Sequence, residues 1–101
     1  MDIEAATKAP ITQATEDDLQ GVLAGDFGAT LRLVRNYGDR LEAAATAAGL
    51  YRVSYYEAAH GRWQQAEEPH SLAAVQEAFL DYFHGRWNWH GGRTWRTIGA
   101  G

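Results

Sequence analysis

PHSLAAVQEAFLDYFHGRWNWHGGRTW, residues Pro69 to Trp95, constrains the architecture more than any other part of the chain. Its first half predicts the clearest helix in the sequence. Leu72, Val75, Phe79, Tyr82 and Phe83 recur at helical spacing and make one apolar stripe. Ser71 is placed to cap the start, because its hydroxyl accepts from first-turn amides that have no partner of their own. Pro69 discourages an earlier start, and Gly85 suits the left-handed position that ends a helix. The second half gathers three of the four tryptophans, Trp87, Trp89 and Trp95, around His90-Gly91-Gly92. That arrangement predicts a hairpin from Arg86 to Ile98, folded at the glycine pair. A stripe this bulky must be covered, and the residues upstream have to cover it.

Upstream, the cover is written in alternation. Leu50 to Ala58 carries Tyr51, Val53 and Tyr55 on one side and Arg52, Ser54 and Tyr56 on the other, in residue types that favour strands. Ala59-His60-Gly61 turns the chain, and Arg62 to Ala66 returns as a short strand carrying Trp63. Ala29 to Arg35 reads as a strand with Leu31 and Leu33 on one face, and Asn36-Tyr37-Gly38-Asp39 is turn chemistry. Arg40 to Ala47 is open on its residues alone. Its alanines, with Asp39 as a cap, favour helix, whereas Leu41, Ala43 and Ala45 alternate with Glu42, Ala44 and Thr46 as a strand would. Thr15-Glu16-Asp17-Asp18 resembles a capping box before Leu19, Val22 and Leu23, which predicts a short helix ending at Gly25. Residues 1–14 have no periodicity and contain Pro10, so a loose leader is expected. The fold class is α+β: an antiparallel β-meander packed on one main helix, with a short N-terminal helix and a C-terminal Trp-rich hairpin. Residues 15–98 form the domain, and 99–101 are a tail.

A chain of 101 residues has room for one modest core, and an apolar fraction of 46% is enough to build it. Without cysteine there is no disulfide framework, no thiolate chemistry and no cysteine-ligated metal. No apolar run nears the roughly 20 residues that a membrane-spanning helix needs. MDIEAATKAP lacks the basic and apolar regions of a secretion signal, so no membrane association and a cytoplasmic location are expected. Thirteen acidic residues against nine basic ones leave a net charge of −4. That is the wrong sign for a phosphate-binding footprint, so no nucleic-acid partner is expected.

The chemistry-bearing residues spell out no reaction. His60, His70, His84 and His90 lie at or near turns without His-x-His or His-x-x-x-His spacing, which points to solvated histidines and no metal. Glu57 and Asp81 are the acid–base candidates, the latter close to His84, but helical geometry puts Asp81 opposite Phe79 and Tyr82, on the solvent side. No Gly-x-Ser-x-Gly, phosphate-cradling glycine loop or dinucleotide fingerprint occurs. The expectation is a protein without catalytic activity or cofactor. The aromatics are in excess of what so small a core obviously needs. Tryptophan and tyrosine anchor protein contacts and also stack on sugars and bases. The candidate partner-binding residues are Arg52, Tyr56 and Glu57 on the polar face of the meander, with Trp87 and Trp89 in the hairpin.

GLYRVSYYE, then SLAAVQEAFLDYFHG, WNW and a final WRTI make a pattern within Leu19 to Ile98, carried by Tyr55, Glu57, Phe79, Tyr82, Gly85, Trp87, Trp95 and Ile98. This pattern resembles small bacterial α+β proteins of the immunity type, encoded beside secreted toxins. The resemblance implies a strand at Arg40–Ala47. It also implies a non-catalytic protein-binding domain, an immunity-type inhibitor that occludes a toxin through an acidic or aromatic surface. An acidic protein suits a basic partner such as a nuclease toxin, and would meet it quickly. The alternative is a small-ligand module in which the Trp-rich hairpin stacks a sugar or a base. A homo-oligomer paired through strand edges is a third class.

Overall fold

Alternation prevails over helix propensity in the middle of the chain. The computed structural model describes residues 1–46 and 49–100. Its elements are β1 (Asp2–Ala5), α1 (Glu16–Ala24), β2 (Thr30–Val34), β3 (Arg40–Ala45), β4 (Tyr51–Glu57), β5 (Arg62–Ala66), α2 (Leu72–Phe83) and β6 (Trp95–Ala100). Among the described residues the six strands form one antiparallel sheet in the order β1-β2-β3-β4-β5-β6, so the chain is α+β and every strand lies beside its neighbours in sequence. The alanine-rich segment is a strand through Ala45, while Ala47 lies outside the described residues. Its partners explain the choice. Ala43 sits opposite Leu31 on one side and Val53 on the other, a place where a small residue lets the helical layer approach.

Register carries the apolar side of every strand into one layer. Ile3, Leu33, Leu41 and Tyr55 make one cross-strand row, and Ala5, Leu31, Ala43 and Val53 make the next. Leu31, Leu33, Leu41, Ala43 and Val53 are fully buried. Above them lies α2, whose Ser71 cap accepts from Ala74 N at 3.2 Å and whose exit is Gly85 at φ +74°. Val75, Ala78, Phe79 and Tyr82 are buried, but Leu72 is exposed, so the stripe starts a turn later than its periodicity suggests.

The short helix α1 shares this layer, so the cover is two helices and not one. Its capping box is closed in both directions: Asp18 N donates to Thr15 Oγ1 at 3.2 Å and Thr15 N donates to Asp18 Oδ2 at 2.9 Å. Leu19, Val22 and Leu23 join the same core. Gln76 donates to the Leu23 carbonyl at 3.0 Å, and Glu16 pairs with His84, tying α1 to α2. Among the described residues, no helix is long and apolar enough to cross a membrane.

Both ends of the chain depart from the sequence reading. The expected loose leader instead contains β1, with Ile3 only 1% exposed and paired to Leu33. Ile3 and Ile11 exchange backbone hydrogen bonds at 2.8 and 2.9 Å, and Ala14 N donates to Met1 O at 2.7 Å, which folds the leader onto the sheet edge. At the other end, Trp95–Ala100 is a strand whose partner is β5, so among the described residues no hairpin forms at Gly91-Gly92. Gly99 and Ala100, expected as tail, belong to this strand, and Gly101 lies outside the described residues. Between α2 and β6 the chain makes tight turns, with Trp87 O accepting from His90 N at 3.0 Å and Gly91 N at 3.1 Å.

Candidate functional site

Because side chains alternate along a strand, the residues between the core positions must project from the other side of the sheet, where among the described residues no helix lies. Register lines them up in rows. One row reads Glu4, Arg32, Glu42, Ser54, Gln65 and Arg96 from β1 to β6. The next reads Asp2, Val34, Arg40, Tyr56, Trp63 and Gly99. Thr30, Ala44 and Arg52 begin a third.

The centre of the helix-free face is an aromatic pair under a cation. Tyr56 and Trp63 face each other across β4 and β5 with ring centroids 5.3 Å apart. The Arg40 guanidinium lies over both, 4.5 Å from the tyrosine ring and 5.1 Å from the tryptophan ring, an arrangement that fixes all three side chains. Beside them runs a shallow groove of about 320 Å³, floored by Ala44 and Ser54 and walled by Arg52, Trp63, Gln65 and Ile98. Ile98 is 47% exposed. Arg52 and Arg96 both donate to Gln65 Oε1, at 3.1 and 3.5 Å. On the β1 side, Arg32 binds Glu42 at 2.7 Å and reaches Glu4 at 3.9 Å.

The five expected contact residues do not form one surface. Arg52 and Tyr56 lie on the helix-free face. Glu57 shares the parity of Tyr55 and falls on the helix side, where Arg62 donates to it at 2.9 Å and Gln64 at 3.1 Å. Trp89 is 5% exposed and belongs to the core, edge-on to Tyr55 and Tyr82. Trp87 is 66% exposed and stacks on Trp89 at 5.3 Å. Glu57, Trp87 and Trp89 meet at the C-terminal end of α2, in a cleft of about 190 Å³ with Arg35 and Arg86. Arg40 and Trp63 were not among the expected contacts, although a signal existed: the four-residue turn between Glu57 and Arg62 puts Trp63 opposite Tyr56.

Titration follows burial. Burial raises the Tyr55 hydroxyl above its usual range, helped by the neighbouring Glu57 carboxylate. Burial also raises Tyr82, although the Arg35 guanidinium 4.1 Å above its ring pulls the other way. His70, expected as a solvated turn histidine, is instead 1% exposed, and burial followed by the charge of Arg93 holds its imidazole down at about 4. Asp81, expected on the solvent side, is 9% exposed and pairs with Arg86 at 3.5 Å, because Trp89 and Asn88 fold back over that side of α2. Among the described residues, no three His, Cys, Asp or Glu side chains are grouped so as to hold a metal ion.

The chain matches no protein-family model, no curated protein and no solved structure. Glu57, the best-placed carboxylate, is engaged by Arg62 and Gln64 and lies 4.0 Å from the exposed His60 imidazole. What the helix-free face offers is a broad, half-exposed surface with rigid aromatic and guanidinium groups at its centre. Such groups recognise a partner at low entropic cost.

Proposed function

We propose that the chain is a non-catalytic protein-binding domain, an immunity-type inhibitor that blocks a toxin by covering its working surface, and that the helix-free face is the contact. The observation that carries this reading is the Arg40–Tyr56–Trp63 cluster. Two large aromatics and an arginine, the residue types that dominate binding energy at protein interfaces, are locked together away from the core that the helices cover. A sheet face of this kind can be occluded without any rearrangement of the fold.

The experiment is a pull-down from the source organism with the tagged chain, followed by co-expression of the captured protein to measure neutralisation of its toxicity. Trp63→Ala should retain the fold and lose the partner. A partner that binds Trp63→Ala as well as the parent would move the contact elsewhere, and repeated failure to capture any protein would remove the reading.

One observation favours a second reading, binding of a small sugar or base. The exposed Trp87 ring lies beside the cleft that holds Glu57, Arg35 and Arg86. A ligand stacked there should quench tryptophan fluorescence on titration with oligosaccharides or nucleotides, and the response should vanish in Trp87→Ala. An unchanged spectrum with both ligand classes eliminates this reading.

A further inference from the structure

Net charge and surface charge disagree in this molecule. The chain carries −4 overall. Many of its acids lie on the helices and their flanks: Glu16, Asp17 and Asp18 in α1, Glu67 and Glu68 before α2, Glu77 and Asp81 within it. The helix-free face divides into two halves. Toward β1, Glu4, Arg32 and Glu42 compensate one another. Beyond Glu42, which Arg32 takes up, the face from β3 to β6 carries Arg40, Arg52 and Arg96, and among the described residues none of the three has a carboxylate within ion-pair distance.

The edge of the groove adds a more specific feature. Arg52 and Arg96 converge on a single neutral acceptor, the Gln65 Oε1. Each guanidinium has five donors, so most remain unused. Two like charges drawn together over an amide oxygen leave a place where a carboxylate would be held by two charge-assisted contacts. Trp63, Ala44 and Ile98 line the groove beside Arg52 with apolar surface, and Glu42 on its far side is already neutralised by Arg32 at 2.7 Å. We propose that this half of the face receives an acidic segment of a protein partner, with one carboxylate seated between Arg52 and Arg96 and an adjoining apolar side chain against Trp63 and Ile98. This rests on the protein-binding reading above and names the chemistry of the partner, which net charge alone would have taken to be basic.

Single-stranded nucleic acid is the competing polyanion and fits less well. The Arg40 guanidinium already lies over the Tyr56 and Trp63 rings, which a base would need for stacking.

The test uses the whole chain and three short synthetic probes: a peptide of alternating glutamate and leucine, its lysine counterpart, and an oligo-dT strand of equal length. Backbone amide shifts measured by NMR report where each binds. The glutamate peptide should move amides of β3 to β6, weaken as salt rises, and lose about tenfold in affinity in Arg52→Gln/Arg96→Gln, with Arg52→Lys/Arg96→Lys recovering part of the loss. Equal affinity in the double glutamine variant, shifts confined to the helices, salt-independent binding, or tighter binding of the lysine peptide or oligo-dT would each overturn the proposal. If the glutamine variant fails to fold, the shift map and salt dependence of the parent still decide. Failure of the broader reading looks different. A captured protein that binds parent and double variant alike defeats the acidic-segment proposal and leaves the binding domain standing. Glutamate-peptide binding with no captured protein keeps the carboxylate seat between Arg52 and Arg96 but removes the protein partner, and with it the binding-domain reading.

Discussion

The two faces of the sheet are built from the same strands by the same alternation, yet they hold their side chains in place by different means. The covered face is fixed by exclusion of water. Leu31, Leu33, Leu41, Val53, Val75 and Phe79 are fully buried, and each is positioned by what surrounds it. The bare face is fixed by directional contacts: Arg32 to Glu42, Arg40 over two rings, Arg52 and Arg96 to Gln65. A face held by burial is stable and silent. A face held by directional contacts stays ordered while remaining open to a partner, at the cost of contributing little to folding. Substitutions on the two faces should therefore separate stability from binding.

The largest effect is expected at the centre of the covered face. Phe79→Ala empties a fully buried aromatic site and should cost about 3–5 kcal/mol, much of the roughly 5–15 kcal/mol that holds a domain of this size. Urea denaturation measures it, and an unchanged midpoint would mean that α2 is not what seals the core.

Acid should attack the same face through His70. Its folded-state value near 4 lies below the ordinary 6.5, so the unfolded chain binds a proton that the folded chain refuses. The stabilisation is complete above pH 6.5 and is lost as pH falls toward 4, by about 3 kcal/mol at most. Arg93 adds to the depression, and Glu77 and Asp81 line the same pocket. Denaturation midpoints at neutral and mildly acidic pH, compared between the parent and His70→Leu, isolate the effect; the same acid loss in both would refute it.

The sharpest contrast is between adjacent residues. Tyr55→Ala removes a side chain packed against Trp89 and Trp95 and should lower the melting point markedly. Tyr56→Ala breaks the Arg40 stack and should cost only about 1 kcal/mol, while losing the partner. Should Tyr56→Ala unfold the protein and Tyr55→Ala spare it, the assignment of the two faces is inverted.

The smallest effect falls on Trp87, at 66% exposure. Trp87→Ala should change stability by less than about 0.5 kcal/mol, against about 3–5 kcal/mol for Trp89→Ala two residues on. Thermal melts of the pair test whether the stacked rings divide into one exposed and one core residue.

What the sequence disclosed and what it withheld follow from the range of the interactions involved. Ser71, Gly85 and the apolar stripe of α2 act within a few residues of one another, and Thr15 with Asp18 closes a cap over three. Such signals are visible locally. The alternation of Tyr51 to Tyr56 likewise settled which side chains face the core. β1 was not visible, because Asp2-Ile3-Glu4-Ala5 is a strand only by virtue of Leu31 and Leu33, far along the chain. The Trp-rich hairpin misled for the same reason: Gly91-Gly92 does turn the chain, but β6 finds its partner in β5. At the site, Arg52 and Tyr56 were legible from strand parity. Glu57 was misplaced by one residue of parity, and Arg40 became part of the cluster only once β3 was a strand in register with β4.

Strand order equal to chain order also governs how the sheet assembles in time. The β2–β3 and β4–β5 turns span only residues 35–39 and 58–61, so these pairings close short loops. β1 and β6 join their neighbours only across residues 6–29 and 67–94, each stretch containing a helix. The central hairpins should therefore zip first, with the edges and both helices docking afterwards as the longer loops close. Mutational φ-values near one in β3 and β4 and near zero in β1 and β6 are the kinetic signature of that sequence. The Arg40–Tyr56–Trp63 cluster lies wholly within the early-forming strands, so the proposed binding surface would take shape before the core is sealed.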